Sequence, residues 1–179
     1  MKKFELTTDF ITVFGIKLFR IRALIEFGDV KEGDLGGFVQ KEENLDQYGN
    51  AWVSGDARVY GNARVYGDAW VSGNAWVYGN AWVSGDARVY GNARVYGDAW
   101  VSGDAHVLWI TPIGSRNDTV TFMRSKDSEI LVKAGCFTGT IDEFEEKVKE
   151  THGENKHAQA YNLAIQLAKL RIDLTESEN

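Results

Sequence analysis

A repeat of six residues fills positions 51–104 and constrains the fold of this chain more than any other feature. Nine copies of Ala-x-Val-x-Gly-Asp/Asn follow one another without an insertion, and a degenerate tenth copy covers 105–110. Six residues with a β-branched residue at the centre make one short strand and one corner. Three copies therefore close a triangular coil of 18 residues, and the pattern predicts a mainly β fold with a parallel β-helix of about three coils.

The fixed positions of the repeat have a structural explanation. Ala and Val share one parity along each short strand, so we expect them to fill the narrow interior. Gly supplies positive φ at the corner, and the Asn or Asp beside it tolerates neighbouring left-handed geometry. Two blocks, 51–73 and 81–103, are identical and lie 30 residues apart, which is five copies of the repeat.

The variable positions are expected to form columns on the outside, because residues 18 apart lie in adjacent coils about 4.8 Å apart. Three faces result, and each takes its name from one residue. The Tyr60 face carries Arg58, Tyr60, Trp76, Tyr78, Arg94 and Tyr96. The Trp52 face carries Trp52, Ser54, Trp70, Ser72, Arg88 and Tyr90. The Trp82 face carries Arg64, Tyr66, Trp82, Ser84, Trp100 and Ser102.

These aromatic columns admit two interpretations. Outward ladders stabilise a sheet through contacts between adjacent strands, and a Trp between two Arg on the Tyr60 face suits cation–π stacking. Alternatively, the columns make a larger apolar patch than most monomers expose, and Tyr, Trp and Arg are enriched at binding hot spots. We therefore expect non-catalytic binding of a protein partner, or self-association as a dimer or trimer. The residues expected to bind are those of the Tyr60 face together with Trp52, Trp70, Trp82 and Trp100.

The segments that flank the repeat are not repetitive. Residues 1–50 predict a β-rich N-terminal capping segment with a hairpin around Phe14-Gly15. The β-helix is expected over 51–110, and an α+β appendage over 111–179. Leu108–Ile110 replace turn residues in the last copy of the repeat, so we expect them to pack under the appendage.

The appendage begins where Pro112 halts the repeat. Residues 119–124 and 129–133 predict a second hairpin. Thr140 with a Glu three residues later forms a capping box and predicts a helix that ends at a glycine. A second helix is predicted over about 156–171, and 173–179 are expected to fray.

Composition limits the possible partners. The net charge of −6 disfavours long nucleic acid as a partner, although a small nucleotide that stacks on Trp and Tyr remains possible. Cys136 is the only cysteine, which excludes an intrachain disulfide and a Cys-based zinc cluster. No apolar run reaches the length of a membrane span, and the first residues do not resemble a signal peptide. The sequence therefore predicts a cytoplasmic protein without membrane contact or cofactor.

The repeat resembles the hexapeptide-repeat superfamily, which includes trimeric acyltransferases. The residues that carry the resemblance are an aliphatic residue and a small one four places later, from Val53 with Ala57 to Val101 with Ala105. The resemblance implies left-handed coils. Gly33–Val53 and Ala134–Gly153 are similar to segments of uncharacterised phage and bacterial hexapeptide proteins labelled as transferases or polymer-forming proteins. The similarity of these two segments implies a phage origin. A protein of phage origin acts inside a host cell, so a host defence factor is one candidate partner.

Catalysis by fold analogy is the alternative function. Hexapeptide acyltransferases use a catalytic His, and the candidate here is His106, which is expected to face outward above Trp70 on the Trp52 face. No acidic residue is fixed beside His106 by the sequence, and no loop interrupts the coils to form a substrate pocket. The sequence therefore favours binding over catalysis.

Three acidic corner residues, Asp68, Asp86 and Asp104, are expected to stack in one column. Stacked carboxylates repel unless they accept backbone hydrogen bonds or share a cation. Corner hydrogen bonds are favoured, because Asp side chains make them routinely. A bound metal ion is the weaker interpretation.

Overall fold

The computed structural model describes residues 2–175, and these residues form a β-solenoid of about four turns followed by a four-stranded sheet and two helices. The N-terminal strands are β1 (Phe4–Val13), β2 (Ile16–Ala23) and β3 (Leu35–Val39). The solenoid strands are β4 (Trp52–Val53), β5 (Arg58–Val59), β6 (Arg64–Val65), β7 (Trp70–Val71), β8 (Trp76–Val77), β9 (Trp82–Val83), β10 (Arg88–Val89), β11 (Arg94–Val95) and β12 (Trp100–Val101). The appendage contains β13 (Val107–Ile113), β14 (Asp118–Arg124), β15 (Ile130–Ala134), β16 (Phe137–Thr140), α1 (Ile141–His152) and α2 (Lys156–Arg171).

The interior of the solenoid agrees with the pattern of the repeat. Every Ala and Val at the fixed positions of 51–104 is at most 1% exposed. Parallel pairing joins residues 18 apart, so Trp52 pairs with Trp70 and Trp82 pairs with Trp100. The predicted inward positions and outward columns are both confirmed over these strands.

A further turn precedes the hexapeptides, so the solenoid has about four turns where the sequence predicts about three. Phe38 and Val39 of β3 pair in parallel with β5, and Leu45 forms a parallel bridge with Val65. Buried Asn44 fills the corner between them, and its amide nitrogen donates to the carbonyl oxygens of Gly61 and Ala63 at 3.2 and 2.8 Å. This turn lacks the hexapeptide pattern because a side-chain amide replaces part of the backbone ladder.

The N-terminal end of the solenoid is closed by a buried lysine. Lys3 is 1% exposed, and its Nζ donates to the carbonyl oxygens of Tyr48, Gly49 and Ala51 at 3.2, 3.4 and 2.9 Å. The same ammonium lies 5.0 Å from the centre of the Phe27 ring. The Lys3 ammonium thus donates to carbonyl oxygens that would otherwise accept from the N–H groups of a preceding coil.

The appendage closes the other end of the solenoid. Strand β14 crosses under the last coil, where the Thr121 hydroxyl accepts from the Arg94 N–H at 3.1 Å and the Met123 sulfur accepts from the Tyr96 N–H at 3.5 Å. Ala99 forms an antiparallel bridge with Ser125. Side chains of β14 therefore occupy positions that the backbone of a further coil would take.

The elements predicted for the appendage are present. β14 and β15 form the predicted hairpin inside an antiparallel sheet of order β13–β14–β15–β16. Pro112 lies within β13, at the edge of this sheet, where a missing N–H leaves no ladder bond unmade. Leu108 and Ile110 pack on the helical side as expected, whereas Trp109 packs on the solenoid.

Helix α1 begins and ends at the predicted signals, and α2 has the predicted bounds. The Thr140 hydroxyl accepts from the Glu143 N–H at 3.3 Å, and the Glu143 carboxylate accepts from the Thr140 N–H at 2.8 Å. Helix α1 ends at Gly153, whose φ is 57°. Neither helix among the described residues is long and apolar enough to cross a membrane.

The segment 173–179, which was expected to fray, is held at its start. Ile172 is buried beside it, and the Asp173 N–H donates to the carbonyl oxygen of Ala105 at 2.9 Å. Residues 176–179 lie outside the described part of the chain.

We predict that Lys3 gives the stability of the protein a distinctive dependence on alkaline pH. Burial lowers the pKa of Lys3 from 10.5 to about 8, although the Asp46 carboxylate opposes the shift. Between these pH values the unfolded chain binds more protons than the folded one, so the free energy of unfolding rises with pH. Urea titrations at several pH values will show this rise in the wild type and not in Lys3→Met.

Tyr60 also makes the free energy of unfolding depend on alkaline pH, so the effect of Lys3 is measured as the difference in that free energy between the wild type and Lys3→Met. Burial raises the pKa of Tyr60 to about 12, so above pH 10 this group lowers the free energy of unfolding as pH rises. That contribution is common to the wild type and Lys3→Met and cancels. Parallel curves for the two proteins would contradict the assignment to Lys3.

Candidate functional site

The Tyr60 face is covered at its N-terminal end by the hairpin of β1 and β2. Tyr60 is only 9% exposed, and it forms an apolar cluster with Val13, Leu18 and Phe38. At the hairpin turn, the Phe14 ring lies 6.1 Å from the Trp76 ring in an edge-on orientation. The hairpin therefore folds back over the column that the sequence predicts to be open.

The ladder on this face has the predicted internal stacking. The rings of Tyr60 and Tyr78 stack with their centres 5.2 Å apart and their planes nearly parallel, at an interplanar angle of 4°. The guanidinium carbons of Arg58 and Arg94 lie 4.8 and 5.5 Å from the centre of the Trp76 ring. These are cation–π contacts within the protein.

The C-terminal end of the Tyr60 face is bound by the appendage. The Tyr96 hydroxyl donates to the carbonyl oxygen of Val132 and accepts from the N–H of Gly139, both at 3.0 Å. Burial is the main cause that raises the pKa of Tyr78 and of Tyr96. The structure thus uses the Tyr60 face to attach the hairpin and the appendage to the solenoid.

The Trp52 face is also partly occupied by internal contacts. Trp52 is 2% exposed, and its ring lies 5.4 Å from the Phe27 ring. The Trp70 indole N–H donates to the Ser54 hydroxyl at 3.2 Å. The Tyr90 ring, although exposed, contacts the edge of Trp109 at a centroid distance of 4.5 Å.

The Trp82 face presents the most open of the predicted tryptophans. Trp82 and Trp100 are each 42% exposed, with ring centres 6.0 Å apart. The Tyr66 ring approaches Trp82 from the other side at 5.9 Å. Three aromatic rings therefore follow one another along this face.

Two grooves meet at Trp82. The first has a volume of about 330 Å³ and is lined by Trp82, Trp100, Ala99 and Lys126, together with Asn80 and Asp98. Two contacts with Asp98 position Lys126. The backbone N–H of Lys126 donates to the backbone carbonyl oxygen of Asp98 at 3.0 Å, and the Lys126 ammonium lies 3.8 Å from the Asp98 carboxylate. This groove is mainly apolar.

The second groove is larger and acidic. It has a volume of about 630 Å³ and is lined by carboxylates and aromatic rings, with one arginine. The residues in these classes are Glu42, Glu43, Asp46, Tyr48, Tyr66, Trp82 and Arg64. Lys2 partly neutralises the groove, because its ammonium lies 2.8 Å from the Glu42 carboxylate. The sequence alone does not indicate this groove, since the first turn of the solenoid lacks the hexapeptide pattern.

His106 does not face outward above Trp70 as predicted. It lies in a short 3₁₀ turn, Asp104–His106, that is turned under the last coil, and its ring is buried. Its Nδ1 accepts from the Ser102 N–H at 3.1 Å, and its Nε2 lies 3.5 Å from the Arg124 guanidinium. Burial and the Arg124 charge lower the pKa of His106, while the Asp173 carboxylate opposes them. A His that terminates a backbone ladder in this way has no open face for a substrate.

The acidic column is explained by corner hydrogen bonds at two of its three positions. The Asp68 carboxylate accepts from the Asn50 amide nitrogen at 2.8 Å, and the Asp104 carboxylate accepts from the Arg88 N–H at 2.9 Å. Among residues 2–175, no three His, Cys, Asp or Glu side chains are grouped so that they can hold a metal ion. Asp68, Asp86 and Asp104 are therefore not part of such a group, and metal binding by this column stays a prediction from the sequence.

Comparison with protein families identifies the repeat. A family model described as the YdcK beta solenoid repeat matches residues 57–73, 71–85 and 87–105. The chain is thus similar to a known β-solenoid repeat family over its central coils, in agreement with the stacked coils of the structure. No curated protein matches the chain.

We predict that His106 lowers the stability of the protein in mild acid. Because the pKa of His106 is lowered from 6.5 in the folded state, the unfolded chain binds more protons just below pH 6.5. The free energy of unfolding therefore falls as pH falls through this range. In His106→Asn, whose amide oxygen can still accept from Ser102, that part of the fall should disappear.

Chemical denaturation at pH values from about 5 to 7 measures this change in the free energy of unfolding, because the range includes the ordinary pKa of His. His157→Asn, a substitution on α2 away from the last coil, is the matched control. An unchanged acid slope in His106→Asn would contradict the prediction.

Proposed function

We propose that this protein is a non-catalytic binding protein that recognises a protein partner through the Trp82 face. The observation that carries the proposal is the exposure of Trp82 and Trp100 side by side on a rigid solenoid, while Trp52 and Tyr60 are buried. Exposed aromatic residues on a preorganised surface are enriched at binding hot spots, because little conformational entropy is lost on binding.

The two grooves support a partner of defined chemistry. The apolar groove lined by Trp82 and Trp100 fits an aliphatic or aromatic side chain. The acidic groove beside it, with Glu43 and Asp46 near Tyr48 and Tyr66, fits a Lys or Arg that contacts both carboxylates and aromatic faces. The net charge of −6 also favours association with a basic partner. We therefore propose a partner segment in which an apolar side chain is adjacent to a basic one.

Selection from a random-peptide display library tests this proposal. The wild type should enrich peptides that combine a Lys or Arg with a neighbouring apolar residue. Trp82→Ala and Trp100→Ala should each bind the selected peptides at least about 30-fold more weakly, as expected for a hot-spot tryptophan that contributes about 2 kcal/mol.

Tyr90→Ala is the matched control, because Tyr90 is an exposed aromatic residue on a different face. It should leave the affinity of the selected peptides unchanged. Peptides that bind Trp82→Ala as well as the wild type, or a consensus without a basic residue, would overturn the proposal.

We also propose that the protein self-associates, and the surface that favours this is the exposed side of helix α2. Helix α2 exposes three leucines, Leu163, Leu167 and Leu170, with exposed fractions of 67%, 46% and 87%. Their spacing of four and then three residues is that of a coiled-coil seam. Residues 156–171 contain no Asp or Glu, and Lys169 is directed to Glu145 of α1 at 2.9 Å. Two copies of this seam can therefore meet without bringing carboxylates together, and we propose a second copy of the chain as its partner.

Sedimentation velocity tests the seam. The wild type should sediment as a dimer at micromolar concentration, and the double substitution Leu167→Glu and Leu170→Glu should give a monomer, because it places charges in the apolar contact. Leu35→Glu is the matched control, since Leu35 is an exposed leucine on β3. A monomeric wild type, or a dimer that survives the double substitution, would contradict the proposal.

The resemblance to hexapeptide-repeat proteins supports further features of the proposal. On the basis of this resemblance, and not of the repeat spacing alone, we propose that the coils are left-handed. The similarity of Gly33–Val53 and Ala134–Gly153 to segments of phage and bacterial proteins is the basis for proposing a phage origin. The acyltransferase alternative is disfavoured, because His106 is buried and bound to Ser102. The cytoplasmic location stays a prediction from the sequence.

A further inference from the structure

A pocket of about 480 Å³ lies in the appendage, and none of the residues that line it belongs to the solenoid strands. It opens between the sheet and the helices, and residues from β14, β15, β16, α1 and α2 contribute to its wall. This volume lies within the range of small-molecule sites in proteins.

The floor of the pocket is aromatic. The Phe144 ring lies 5.1 Å from the Phe137 ring and 5.4 Å from the Tyr161 ring, the latter edge-on at 86°. The His152 ring stacks on Tyr161 at 5.8 Å with an interplanar angle of 28°. Four rings thus surround one space, and Phe144 is fixed because it is buried in the core of the appendage.

Polar and charged groups lie around this floor. Arg116 and Lys147 contribute positive charge, and Asp118 contributes a carboxylate that can accept hydrogen bonds. Lys147 pairs with Glu150 at 3.2 Å, whereas Arg116 is exposed and makes no salt bridge with any residue in 2–175. Burial and the Asp118 charge raise the pKa of Tyr161, while the Arg116 charge opposes them.

Gly114 allows the Tyr161 side chain to lie close to the turn between β13 and β14. A Cβ atom at Gly114 would lie 2.1 Å from the Tyr161 hydroxyl oxygen, and the φ of Gly114 is +73°. Only glycine therefore permits this approach of the hydroxyl to the turn that carries Arg116. The close approach places the ring of Tyr161 and the guanidinium of Arg116 on the same small site.

We propose that this pocket binds a small planar aromatic anion. The ring of the ligand packs among Phe137, Phe144 and Tyr161, where aromatic contacts are favourable. Its phosphate or carboxylate pairs with Arg116, which is suited to both groups by its planar guanidinium. Asp118 accepts a hydrogen bond from an N–H or O–H on the ring. The proposal does not depend on the Trp82 face or on the function proposed for it.

Cys136 provides a direct test, because it is the only cysteine of the chain, is exposed and lines the pocket. A bound ligand should slow its alkylation by iodoacetamide, measured by intact-mass spectrometry. The probes are adenosine 5′-monophosphate and indole-3-acetate, each up to about 10 mM, which detects dissociation constants in the millimolar range. Protection by the first alone assigns a phosphate ligand, protection by the second alone assigns a carboxylate ligand, and either supports the proposal.

Two further probes separate the ring from the charge. Adenosine lacks the anion and ribose 5-phosphate lacks the aromatic ring, so each should protect Cys136 much less than adenosine 5′-monophosphate or indole-3-acetate. Arg116→Ala should raise the concentration needed for protection about tenfold, as expected for the loss of a charged hydrogen bond. Lys149→Ala, on α1 but not in the pocket wall, should change nothing.

Three outcomes would overturn the proposal. One is the absence of protection by both aromatic anions. Another is equal protection by ribose 5-phosphate, which would indicate a simple phosphate site. The third is unchanged protection in Arg116→Ala, with circular dichroism showing that the variant is folded.

Discussion

Hydrogen bonding between successive coils is the interaction on which the whole molecule depends, because it leaves unpaired backbone groups at both ends of the stack. Within the stack each coil bonds to the next, as when the Ser54 N–H donates to the Val71 carbonyl at 2.8 Å. At the first turn, Lys3 and Asn44 donate to free carbonyls. At the last coil, Asp104, His106 and Thr121 accept from free N–H groups. Unpaired polar groups are costly when buried, and repeat proteins require caps for this reason.

The caps also decide which surfaces remain available. The N-terminal hairpin and the appendage are held to the solenoid by the same aromatic columns that otherwise face solvent, with Tyr60 under the hairpin and Tyr96 bonded to β15 and to Gly139 of β16. The Trp52 face loses Trp52 to Phe27. Outward aromatic residues therefore attach the caps to the solenoid on the Tyr60 and Trp52 faces, whereas on the Trp82 face they remain exposed to solvent.

The sequence predicts what depends on local pattern. The inward Ala and Val, the pairing of residues 18 apart, both hairpins and the capping box at Thr140 all follow from periodicity or short signals, and the structure has them. It does not predict what depends on distant contacts. The first turn relies on the amide of Asn44 rather than on a hexapeptide, and His106 turns inward because the last coil needs acceptors. The folding of Phe14 over Trp76, and the assembly of one pocket from Arg116, Phe144 and Tyr161, join parts of the chain that no pattern relates.

The identical blocks 51–73 and 81–103 gain a meaning from the coil length. A shift of 30 residues is one coil of 18 plus two sides, so the second block is rotated onto different faces. Trp52 and Trp82 occupy equivalent positions in the two blocks, yet the first is 2% exposed and the second is 42% exposed. Duplication of a DNA segment encoding five units thus preserves the core and moves identical side chains into new surroundings. Addition of three units would lengthen every column, whereas any number not divisible by three would rearrange the outside, so gene length alone can diversify the surface of such a protein.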